Sequence, residues 1–139
     1  MTTIPQNHSS TLKPHAIGMI GVLTLEYLLG MFTNLFITFP QGAKDRQLWI
    51  FAWSQLSLAL HIIVGILLFV GAIALVIRAS LKKDKKWIIV SAVGATAILA
   101  AIIGGSIFIP TQSAAYSFIM AVTFLIALFS YFWGIYSSK

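Results

Sequence analysis

Four apolar runs alternate with short polar breaks along this chain. The first is about Pro14 to Thr38 and ends at Phe39-Pro40-Gln41-Gly42. The second is about Trp53 to Ile77, the third about Trp87 to Ile109, and the fourth about Ala114 to Ile135. A helix rises about 1.5 Å per residue, so about 20 residues cross a hydrocarbon core roughly 30 Å thick. Each run is long enough. Open sheet edges are not tolerated in lipid, so four helices are predicted rather than strands. Short connections make sequential helices antiparallel neighbours. The expected fold is all-α, an integral membrane antiparallel four-helix bundle over residues 14–136.

Polar and small residues are confined to stripes. Gly18, Val22, Glu26, Gly30 and Asn34 recur every four residues on helix 1. Ser54, Ser57, His61, Gly65 and Ala72 share a face of helix 2. Ala97, Ala101 and Gly105 form a small-residue ridge on helix 3, suited to close helix approach. Trp49 and Trp53 flank the second entry, as interfacial aromatics do. Residues 1–13 are polar and read as a flexible cytoplasmic tail. Their single cation, and the absence of a small-x-small cleavage site, predict a retained first helix rather than a signal peptide.

Composition agrees with the pattern. Of 139 residues, 59% are hydrophobic and 9% charged. Soluble domains carry about 25% charged residues, and a chain this short cannot enclose so much apolar surface. The lipid bilayer is its solvent. Cysteine is absent, which removes disulfides, thiolate metal sites and cysteine nucleophiles. Three acids leave little material for an enzyme site, and no nucleotide loop, zinc motif or hydrolase elbow occurs.

The net charge of +6 sets orientation rather than nucleic-acid binding. With four spans, the N-terminal tail, the loop at residues 78–86 and the C-terminus share one side. That side holds Lys13, Arg78, Lys82, Lys83, Lys85, Lys86 and Lys139. The other holds Lys44 and Arg46, and seven plus two accounts for all nine cations. The positive-inside rule predicts both termini in the cytoplasm, in a bacterial plasma membrane.

This topology allows depths to be compared. His61 lies about eight residues inside the outer surface, roughly 12 Å. Met31, Asn34 and Met120 fall in the same layer, with Gln55 and Ser117 slightly nearer the surface and Glu26 deeper. A polar layer of Asn34, Gln55, His61 and Ser117 is therefore expected in the outer half. A charge at the bilayer centre costs about 2.5–3.5 kcal/mol on insertion scales, so Glu26 is neutralised, paired or functional. His61 has three readings: axial ligand of haem b with Met120, Met31 or a second subunit's His61 opposite, hydrogen-bonded helix contact, or proton handling.

Three stretches carry a resemblance: LEYLLGMFTNLFITFP (25–40), LHIIVGILLFVGAIALVIRA (60–79) and GGSIFIPTQSAAYSFIMAVTFLIALFSY (104–131). Together they resemble a group of uncharacterised small four-helix bacterial membrane proteins, which implies the fold and no activity. The run from His61 to Ala79 also distantly resembles the haem-ligating helices of haem A synthase, whose four-helix halves place histidines on their second and fourth helices. The resemblance implies haem ligation at His61 only, since helix 4 has no histidine, and the cysteine pair of many members is absent.

Three functions remain open. One is a haem b protein for electron transfer or haem handling. Another is a small proton-coupled transporter using Glu26, and the last is an accessory subunit of a larger membrane complex. A homodimer fits the first two readings.

Overall fold

The computed structural model describes residues 12–138 and is all-helical over them. The expected tail lies mostly outside the described residues, as does Lys139. Two of its residues are placed: Leu12 is fully buried, and Lys13 opens the first helix. Five helices follow: α1 (Lys13–Phe36), α2 (Asp45–Ser54), α3 (Leu56–Leu81), α4 (Lys85–Thr111) and α5 (Ala114–Tyr136). All except α2 are long and apolar enough to cross a membrane.

The four long helices match the four apolar runs, with corrected ends. Helix α1 stops at Phe36, because Ile37 is already extended at φ −101°, ψ 117°. The stretch expected as a loop before the second span contains α2. Its start is fixed where the Lys44 backbone N–H donates to Gln47 Oε1 at 2.9 Å, with Asp45 in the first turn facing the helix dipole. Leu48 and Ala52, one turn apart, are its buried side. At Gln55 the backbone turns extended (φ −88°, ψ 112°), so α3 starts afresh at Leu56 rather than at Trp53.

The basic connection is also shorter than expected. Helix α3 runs on to Leu81 and α4 begins at Lys85, leaving three residues between them. Asp84 makes this possible by accepting a hydrogen bond from the Trp87 N–H at 3.2 Å. Cations on long stems reach water from within a helical turn, so they do not oblige the chain to form a loop. At the other end of α4, Pro110 sits inside the last turn, and Gln112 ends the helix in the left-handed region at φ 51°.

Helix α1 packs on α3 and α5, α3 on α4, and α4 on α5, which closes a ring. Contacts between α1 and α3 run in opposite order along the two helices: Met19 meets Gly71, Glu26 meets Gly65, and Gly30 meets His61. Contacts between α4 and α5 do the same, with Gly94 against Tyr131 and Gly104 against Met120. Ser130 Oγ donates to the Val90 carbonyl at 2.7 Å, adding a hydrogen bond between those helices.

Packing is uneven along the bundle. The main core joins Leu12–Leu23, Leu68–Ala79, Trp87–Ile98 and Ala127–Tyr131, the half that ends at the basic turn. Trp87 and Tyr131 are its largest fully buried side chains. The other half holds only a small cluster, Leu48 and Ala52 of α2 against Leu58 and Ile109. Large apolar side chains such as Leu28, Leu67, Phe118 and Trp133 cover the outside. An exterior this apolar suits lipid rather than water.

Candidate functional site: the Glu26–His61 pair

Glu26 and His61 face each other across the α1–α3 contact. His61 Nδ1 lies 2.9 Å from Glu26 Oε1. The two atoms are at ion-pair distance but off the line of a well-formed hydrogen bond, and both Nδ1 and Glu26 Oε2 are enclosed. Oε2 has no hydrogen-bond partner among the described residues. The carboxyl side chain is 13% exposed and the imidazole 26%.

Two glycines let these side chains fit. A Cβ at Gly65 would stand 2.9 Å from Glu26 Oε1, and one at Gly30 would stand 3.1 Å from His61 Cε1. Each ionisable side chain thus occupies the gap left by a glycine on the opposite helix. Thr33 stiffens the α1 side, where its hydroxyl donates to the Gly30 carbonyl at 2.8 Å.

Glu26 is the one acid inside a span, since Asp45 opens α2 and Asp84 caps α4. An acid and an imidazole in contact share protons. With one proton between them the pair is neutral overall, whichever group holds it. With none it is an anion, and with two a cation. Low dielectric disfavours either net charge. The arrangement places an acid and a base in contact between two helices, and any step that adds or removes a proton there changes the local charge.

The other expected site residues separate. Asn34 and Ser117 line one groove of about 490 Å³, together with Phe108, Gln112 and Phe118. Gln55 lines a different groove, with Leu29, Phe32, Ser57 and Leu60. Met31 is 40% exposed. Met120 packs on α4, its sulfur 3.2 Å from where a Cβ of Gly105 would be. The expected single polar layer is therefore divided between two grooves and the ion pair. Gln112 is not among the residues singled out from the sequence, and it joins Asn34 because it ends α4 beside α5.

Gly30 and Gly65 are the small residues beside His61 that could make room for a haem b. Those gaps are filled by His61 and Glu26 themselves. Within one chain those two gaps leave no room for a porphyrin, and no group of three or more His, Asp or Glu suited to a metal ion occurs among the described residues.

Four spans around a paired carboxyl and imidazole define a multi-pass helical membrane protein with an ionisable site between its helices. No family model, curated protein or solved structure matches the chain significantly.

Proposed function

We propose that this chain is a small proton-coupled membrane transporter whose coupling site is the Glu26–His61 pair. The observation that carries the reading is the 2.9 Å contact between the one intramembrane acid and an imidazole. Intramembrane ionisable residues are expensive and cluster on ion and substrate pathways. The pair changes net charge with each proton, so its state biases any conformational equilibrium of the α1–α3 contact.

The chain sits in a bacterial plasma membrane as an antiparallel bundle, with both termini in the cytoplasm. The opposite order of the α1–α3 and α4–α5 contacts supports this arrangement, as does the excess of cations at the basic turn and termini.

Infrared titration of protein in lipid tests the site. A protonated-carboxyl band that titrates in the wild type should vanish in Glu26→Gln and move in His61→Ala. Transport or resistance that is unchanged in Glu26→Gln rejects the function.

Haem b ligation at His61 is the competing reading. It is separated by the optical spectrum: a Soret band after expression with haem available, lost in His61→Ala, would replace the transporter reading. A role as accessory subunit would show as a stable partner on purification, with no titrating carboxyl.

A further inference from the structure

The two ends of the bundle differ in charge as well as in packing. Of the three acids, Glu26 meets His61 between the helices and Asp45 opens α2. Asp84 is therefore the only Asp or Glu at the end formed by the start of α1 and the turn between α3 and α4. Its side chain accepts from the Trp87 N–H. Against it stand Lys13, Arg78, Lys82, Lys83, Lys85 and Lys86 among the described residues.

Arg78 differs from the lysines in what it touches. Its Nη1 lies 3.3 Å from Nδ1 of His15 on α1. A guanidinium only donates, so Nδ1 accepts and the imidazole is an uncharged partner in this contact. Among the described residues no carboxylate pairs with Arg78. The contact holds the guanidinium between α1 and α3 without neutralising it, and leaves the rest of its N–H fork to another acceptor. His15 is the third residue of α1, and Arg78 is three residues before the end of α3 at Leu81. At about 1.5 Å per residue, both lie roughly 5 Å from a helix end, the headgroup level of a bilayer.

Apolar surface follows at once toward the middle of each helix. Ile17 on α1 and Ile77 on α3 are exposed. Gly18, one turn from His15, is exposed with nothing within 4 Å of the place of a Cβ, so the surface of α1 is indented there.

We propose that the Arg78–His15 contact is a headgroup site for an anionic phospholipid in the leaflet at the basic turn. The guanidinium fork takes the lipid phosphate in bidentate geometry, and His15 holds the fork in place. The acyl chains lie along α1 and α3 past Gly18 and Ile77. The excess of cations over Asp84 selects an anionic headgroup over a zwitterionic one. A site at this depth is reached from the leaflet, where an anion comes joined to hydrocarbon. Neither residue belongs to the Glu26–His61 pair, so the lipid site and the proton site stand or fall separately.

Native mass spectrometry of the full chain in detergent tests the site, with phosphatidylglycerol, phosphatidylcholine and inorganic phosphate as probes. The wild type should bind phosphatidylglycerol about tenfold more tightly than phosphatidylcholine, and Arg78→Gln should lose about that factor. Lys85→Gln removes the same charge from an exposed position at the same end, and should change the affinity by less than about twofold. Arg78→Lys keeps the charge without the fork and should fall between these two. Helix content by circular dichroism excludes a misfolded variant. Equal binding of the two lipids by the wild type would overturn the proposal without recourse to any variant. Equal losses in Arg78→Gln and Lys85→Gln would reveal unlocalised charge attraction and overturn the site. Displacement of phosphatidylglycerol by an equal concentration of inorganic phosphate would reveal a free-anion site and overturn the lipid assignment.

Discussion

His61 rests against Gly30, and Gly30 is the residue one turn after Glu26, whose carboxyl rests against Gly65, one turn after His61. The acid and the imidazole therefore meet at 2.9 Å by exchanging glycine gaps. Two helices with opposite order of contacts can repeat this E-x-x-x-G to H-x-x-x-G match in one register only. The pair and its glycines also fix how α1 lies on α3.

Removing either partner leaves the other enclosed and unsatisfied. Glu26→Ala and His61→Ala should each destabilise the protein by about 1–3 kcal/mol. The double variant should cost less than their sum, with a coupling of about 1 kcal/mol. Thermal unfolding in detergent reads this cycle. Strict additivity would mean the contact contributes nothing.

Alanine at the two glycines should act unequally. The Cβ of Gly65→Ala meets a carboxyl oxygen at 2.9 Å, and that of Gly30→Ala meets a ring carbon at 3.1 Å. The former must move the carboxyl off the imidazole, so it should alter the Glu26 infrared band more strongly. An equal effect would argue against the reciprocal seating.

Gly94→Ala should destabilise by about 1–3 kcal/mol, because the Tyr131 ring is fully buried and has no room to yield. Gly18→Ala is the control. Nothing lies within 4 Å of its Cβ, and stability should change by less than about 1 kcal/mol. Comparing the two melting temperatures separates overpacking from a general intolerance of alanine.

Orientation should follow the basic turn. A reporter fused after Lys139 should register in the cytoplasm. Replacing Lys83, Lys85 and Lys86 with Gln lowers seven cations on that side to four against two, since seven minus three is four. A measurable fraction of inverted molecules is then expected. Reporter pairs active on opposite sides of the membrane read the ratio.

The spans and their number were legible because lipid imposes one rule: a long apolar run must satisfy its own backbone, and a helix does so. The bounds drifted where that rule is silent. Helix α2 is short and half polar, and its ten residues carry no spanning signal, so it resembled a loop. The basic turn reads as a longer loop because its charges interrupt the apolar run, whereas Asp84 caps a helix there. The site was half legible. Glu26 and His61 stood out as ionisable residues in lipid, and glycines followed each at four residues. That repeated spacing was the available signal for their contact. Depth counting separated them instead, because it ignores the reach of a side chain toward the next helix.

By itself the sequence determined the solvent, the number of spans and the cation asymmetry, which are properties of composition and period along one chain. Only the tertiary structure decided that Glu26 meets His61, that Gln55 parts from Asn34 and Ser117, and that one half of the bundle is sealed and the other loose. Those outcomes depend on how each helix is rotated about its axis and on which gaps its neighbours leave. Both are set by packing between residues far apart in the chain, where a single glycine admits or refuses a side chain.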